Sequence, residues 1–184
     1  MYGMVMKSIE AFLRRERGES GWNAVAADNG LEYSTLIATE SYPDGLTVGL
    51  VNSGATLLGL TPAEFMMRLG DFWIDFALET PMRELMINNG RDPGEFIAGM
   101  NLLHVRSQLL FARMEPPRID AEREGENAMR IIYSSRRVGF EPFFEGTLAG
   151  IARMFGMDHT LERVPASRPD SSAEYRFTWT HRVE

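Results

Sequence analysis

Apolar residues recur at helical spacing through Val5, Ile9, Phe12 and Leu13, and the charged run "RRERGE" closes the stretch, which predicts an amphipathic first helix. A shorter helix is predicted around Trp22 to Ala27, stopping at "DNG", where Gly30 suits a left-handed cap. "SYPDG" then reads as a turn. "TPAE" at Thr61 to Glu64 places a hydroxyl cap, a proline in the first turn and a glutamate at the third position, so a helix should start there. Its buried face would be Phe65, Leu69, Phe72, Trp73 and Phe76, and it should end before Pro81. "DPGE" at Asp92 to Glu95 repeats the start signal, followed by Phe96, Met100, Leu103 and His104 on one face.

Beyond Pro116 and Pro117 the pattern changes. "NAMRIIYSS" and "EYRFTWTHR" favour strands, the second alternating Tyr175, Phe177, Trp179 and His181 against Arg176, Thr178, Thr180 and Arg182. Between them Phe140, Phe144, Leu148, Ile151 and Phe155 mark one more helix, followed by a strand at "HTLERV" and a hairpin loop in "SRPDSS". Helices first, then strands with one helix, predict an α+β fold in a single domain of two lobes, without internal repeat or linker.

Charge narrows the partners. With 19 Lys plus Arg against 26 Asp plus Glu among 184 residues, the net charge of −7 disfavours a long polyanion, so no nucleic acid is expected. No cysteine is present, which removes disulfides, thiolate metal sites and cysteine nucleophiles and fits the cytoplasm. No apolar run approaches a membrane span and no basic leader opens the chain, so no membrane insertion is expected.

The three histidines form no zinc motif, and neither a G-x-S-x-G elbow nor a phosphate-cradling glycine loop occurs, although a dispersed triad stays open. Taken alone, His104 on an apolar face reads as a core histidine bonded locally. "YSSRR" alone reads as an edge strand with Arg136 and Arg137 solvated, and the twelve methionines read as core filling. Together they suit a haem better. Aromatic and methionine side chains would cover the ring and a neutral imidazole would take the iron. Tyr133, Ser135 and Arg137, on alternate positions of a strand, would offer donors to the carboxylates.

The opening "MYG", "SYPDG", "NLLHVRS", the paired prolines and "YSSRRVGFEPF", in this order and with His104 29 residues before Tyr133, resemble the haem nitric oxide/oxygen-binding (H-NOX) family over essentially the whole chain. The resemblance implies a helical N-terminal lobe of about residues 1–60 and a haem-binding remainder of about 61–184, with a four-stranded antiparallel sheet and haem b between the lobes. It implies His104 as the iron ligand and Tyr133, Ser135 and Arg137 as propionate donors. Pro117 would press on the porphyrin, and Asp44 resembles the acidic partner of the motif arginine. Arg136 falls on an unmatched spacer position. Val5, Trp73 and Phe143 would line the gas side, Phe143 standing where oxygen-binding members carry a tyrosine. Met82 departs from relatives with a tyrosine near the haem edge.

The implied function is a gas sensor, not an enzyme. It would bind nitric oxide, with carbon monoxide as a second ligand, and signal by release of His104 and movement of haem and lobes. The listener would be a separate histidine kinase or cyclic-di-GMP enzyme. The Trp73 indole N–H keeps an oxygen-binding sensor as the alternative. A haem enzyme (nitric oxide dioxygenase or peroxidase) and a haem-free interaction module stand further off.

Overall fold

The computed structural model describes residues 1–31, 36–111 and 114–182. Helix α1 (Gly3–Asp28) is two helices end to end, broken at Gly18, whose φ of 68° lies where only glycine sits without strain. The break falls inside the predicted charged run. The second piece ends as its sequence predicts: Gly30 adopts φ 70°, and the Leu31 and Gly30 amides donate to the carbonyls of Ala26 and Ala27.

Two elements depart from the sequence-based expectation. "SYPDG" is not a turn, which lies earlier, at 38–40; Ser41 instead bridges Tyr2, and Asp44 opens helix α2 (Asp44–Leu58). The α2 sequence hides its helix, because Thr47, Val48 and Val51 favour strands and three glycines interrupt it. Packing decides: Leu50, Val51 and Ala55 are buried, and Gly54 lies against the Phe65 ring, which leaves no room there for a Cβ.

Helix α3 (Pro62–Leu78) begins with the full capping box, the Glu64 amide donating to Thr61 Oγ1 at 3.2 Å and the Thr61 amide to Glu64 Oε2 at 2.8 Å. A short α4 (Arg83–Ile87) follows. Helix α5 (Pro93–Ala98) is capped by Asp92, which accepts from the Glu95 amide at 2.8 Å. Glu95 itself reaches the Arg91 amide rather than that of Asp92, so the box closes one residue early. Helix α6 (Met100–Leu110) continues α5 through Gly99, whose amide donates to the Glu95 carbonyl while its carbonyl accepts from Leu103. Phe96, Met100 and Leu103 are buried along this pair, with half-buried His104 beside them.

The strands β1 (Arg118–Gly125), β2 (Ala128–Ser134), β3 (Met157–Val164) and β4 (Ala173–His181) form one antiparallel sheet in the order β1-β2-β4-β3. Strand β1 escapes the hydrophobic pattern because, as a charged edge, it buries only Ile119. In β4 the alternation holds for Tyr175, Phe177 and Trp179, but His181 is exposed at the strand end and Glu174 is buried. Helix α7 (Glu141–Met154) lies between β2 and β3 in sequence and buries Phe144, Leu148 and Ile151.

The α+β fold has two cores. One joins α1, α2 and the first half of α3; the other joins the sheet with α5, α6 and α7. Helix α3 serves both, giving Phe65, Leu69 and Phe72 to the first and Ile74 and Ala77 to the second. It meets α7 backbone to backbone: a Cβ on Gly70 would strike the Phe143 carbonyl, and one on Gly146 the Met67 carbonyl. A third, small cluster of Tyr2, Met4, Met82 and Phe111 bridges them. Among the described residues no single helix is long and apolar enough to cross a membrane.

Candidate functional site

A mainly apolar cavity of about 310 Å³ opens between the two cores. All eight residues singled out as a haem site border it: Val5 on α1, Trp73 on α3, His104 on α6, Pro117 before β1, Tyr133 on β2, Ser135 and Arg137 after β2, and Phe143 on α7. Arg136 is exposed and does not line it, and His159 and His181 are exposed on β3 and β4.

His104 is delivered by the buried face of α5 and α6. Its Nδ1 is buried and has no hydrogen-bond partner among the described residues. Burial pushes the imidazole pKa down to about 4, against the smaller opposing influence of the Pro117 carbonyl, which does not reach hydrogen-bond geometry to Nδ1. The ring is therefore neutral at pH 7, the form that ligates metals. Among the described residues no group of three or more histidines and carboxylates gathers around a metal position. One imidazole alone would suit an iron whose other protein-independent ligands come with a macrocycle.

The polar end is built around the end of β2. Side-chain alternation brings Tyr133 and Ser135 to one side, but the strand stops at Ser134, so Arg137 does not arrive by strand geometry as expected. A turn brings it back, its amide donating to Ser135 Oγ at 3.0 Å. The Arg137 guanidinium then donates through Nε to Asp44 Oδ1 at 3.2 Å and through Nη1 to the Glu115 carbonyl at 3.0 Å. Nη2 keeps donors without a protein partner among the described residues. Asp44 is held below the ordinary carboxylate range, first by a hydrogen bond from the amino group of Met1 and then, against some desolvation, by Arg137. Tyr133 stacks on Phe144 with centroids 4.5 Å apart. Burial raises its phenol pKa, outweighing the Ser135 hydroxyl, so it remains a donor.

Elsewhere in the lining, Trp73 and Phe143 lie 6.2 Å apart, centroid to centroid. Thr147 also lines the cavity, but its hydroxyl donates to the Phe143 carbonyl at 2.8 Å. Sequence reasoning missed much of the remaining lining. Met1, Met4, Met82, Met86, Met100 and Met114, half of the twelve methionines, border the cavity, as do Tyr2 and Phe111. Met100 was legible from its helix face and Met82 was singled out by the resemblance; the others carry no periodic signal. Tyr2 has a buried hydroxyl with no partner among the described residues, and burial raises its pKa to about 12. The chemistry of the lining fits a haem: a mainly apolar enclosure, one imidazole and a cluster of anion donors.

The sequence signature described as "Haem-NO-binding" matches residues 2–163. The chain belongs to the haem-NO-binding, or H-NOX, family. Its fold is that of solved H-NOX proteins. It resembles one from S. oneidensis in the Fe(II)NO ligation state at a TM-score of 0.87 and 17% identity, over 98% of this chain and 100% of that one. An oxygen-binding H-NOX domain related to soluble guanylate cyclases matches at a TM-score of 0.83 and 20% identity, over 98% of this chain and 96% of the other. Among curated proteins it is similar to the soluble guanylate cyclases gcy-31 (24% identical over 153 residues) and gcy-35 (26% over 160 residues) of Caenorhabditis elegans. Both alignments span 83% of this H-NOX chain but only 22% and 23% of those relatives. The family is one of haem-binding gas-sensor domains.

Proposed function

We propose that this H-NOX domain binds haem b (iron protoporphyrin IX) in the cavity through His104 and acts as a nitric oxide sensor that discriminates against oxygen. The observation that carries the reading is His104, a neutral imidazole with a buried Nδ1, standing in an apolar cavity whose polar end gathers Tyr133, Ser135 and Arg137. When bound, the haem would supply an iron that takes one imidazole nitrogen on one face and a diatomic gas on the other. The chain's own residues set the rest. Tyr133, Ser135 and Arg137 would donate to the two propionate carboxylates, and Pro117 would pack on the ring. Val5, Trp73 and Phe143 would enclose the gas side and exclude water.

Selectivity rests on Phe143. Dioxygen is more polarised as a ligand than nitric oxide and gains more from a donor, and one neutral hydrogen bond is worth about 1 kcal/mol net. Phe143 offers none, and the Thr147 hydroxyl is already engaged. The Trp73 indole is the one donor among the three gas-side residues and carries the second reading, an oxygen-binding sensor. Val5, Trp73 and Phe143 contain no acid or base, which favours sensing over a haem enzyme.

Loss of the His104 ligand would free α6 from the cavity wall. The lobes, joined at the polar end by the Asp44–Arg137 pair, would shift relative to each other. Output would pass to a separate protein, a histidine kinase or a cyclic-di-GMP enzyme. His104→Gly tests the base of the reading: purified protein should lose haem on desalting and regain it with added imidazole. Full haem retention with an unchanged spectrum would remove His104 as the ligand.

A further inference from the structure

Strand pairing cannot account for how the polar end of the cavity is held. The last ladder pair between β2 and β4 is Tyr133 with Ala173, so Ser135 lies beyond the sheet. Its backbone is fixed by one side chain. Ser172 Oγ accepts from the Ser135 amide at 3.0 Å and lies 3.3 Å from the Ser135 carbonyl as its donor, while the Ser172 amide donates to the Tyr133 carbonyl at 2.8 Å. Ser135 Oγ in turn receives the Arg137 amide. Ser135, and Arg137 through it, thus hang from a residue of the β3–β4 loop.

That loop has its own anchor. Glu174, 1% exposed and opposite Ile132 in the ladder, accepts from the Ser167 amide at 2.6 Å, the Ser167 hydroxyl at 2.9 Å, the Arg168 amide at 3.1 Å and the Ser171 hydroxyl at 3.3 Å. Arg130 Nη2 adds a charged donor at 2.8 Å. A buried carboxylate supplied with this many donors stays ionised and ties the loop to the sheet. Burial alone would raise its pKa, but these donors overcome it and hold the group at about 2.

We propose that Ser172 and Glu174 are positioning residues for anion binding: Glu174 folds the β3–β4 loop onto the sheet, and Ser172 on that loop sets the geometry in which Ser135 and Arg137 meet the carboxylates of the bound group. This rests on the reading of Tyr133, Ser135 and Arg137 as the propionate donors. The test compares release of haemin and of haemin dimethyl ester, whose carboxylates are masked, to an apo-globin acceptor. In the unaltered protein the ester should leave faster. Ser172→Ala should speed haemin release about fivefold, the equivalent of one net hydrogen bond, and leave ester release unchanged. Ser172→Thr, which keeps the hydroxyl, should restore slow release, and Glu174→Gln should repeat the selective loss. If Glu174→Gln does not fold, the two Ser172 variants decide the matter alone. No acceleration in Ser172→Ala, or equal acceleration for haemin and ester, would overturn the positioning role. Equal release of the two from the unaltered protein would instead overturn the reading of the polar end, and the proposal with it.

Discussion

Burial decides what His104 can do. An exposed imidazole is partly protonated near neutral pH, whereas this one stays neutral until about pH 4 and keeps a lone pair for a metal. The same shift has a consequence for stability. Because the folded-state pKa lies below the unfolded value, the unfolded chain takes the proton first, so stability is full above about pH 6.5 and falls as pH drops toward 4. In haem-free protein the loss by pH 5 should approach 2 kcal/mol on the order of magnitude. Urea unfolding at pH 7 and pH 5, with His104→Gln for comparison, measures it; an equal loss in the variant would assign the effect elsewhere. Glu174 acts in a separate window, since its lowered pKa costs stability only as pH falls from its ordinary range toward 2. If Phe143 lines the gas side as proposed, Phe143→Tyr adds a hydroxyl there. Oxygen affinity of the reduced protein should rise severalfold or more in a gas titration, and no gain would mean that Phe143 does not face the ligand.

At the level of elements, the packing of α3 on α7 sets how far apart the cavity-lining Trp73 and Phe143 stand, because they sit on these two helices. Gly70, Gly146 and Gly150 let the backbones touch, and Arg153 on α7 ties the outer side to Asp71 and Asp75 on α3. Gly146→Ala should force the helices apart at a cost of about 1–3 kcal/mol, visible as a lower melting temperature and a perturbed haem spectrum. An unchanged melting temperature would contradict the close approach. The elements that were legible in the sequence are those with a local signature: the capping box at Thr61, the Asp92 start, the alternation of β4. Helix α2 and strand β1 were not, because tertiary burial overrides the strand preference of one and an exposed edge leaves no hydrophobic pattern in the other.

For the whole molecule, the cavity is made by the meeting of two cores rather than by any one element. That is why its histidine and its Tyr133–Arg137 segment could be named from sequence, while most of its methionine lining, scattered over several elements, could not. The support under the polar end was equally hidden: Ser172 lies 37 residues from Ser135, in a loop that reads as an ordinary hairpin connection. Arg137 and Asp44 sit 93 residues apart and link the C-terminal core to α2. A group that filled the cavity would therefore touch both cores at once, and its displacement would be felt in each. The most direct test of the central claim is the visible spectrum of the purified, dithionite-reduced and desalted protein, exposed first to air and then to nitric oxide. A five-coordinate ferrous haem spectrum unmoved by air and shifted by nitric oxide is expected; a stable oxy spectrum in air, or no haem at all after reconstitution, would contradict a nitric oxide sensor that discriminates against oxygen.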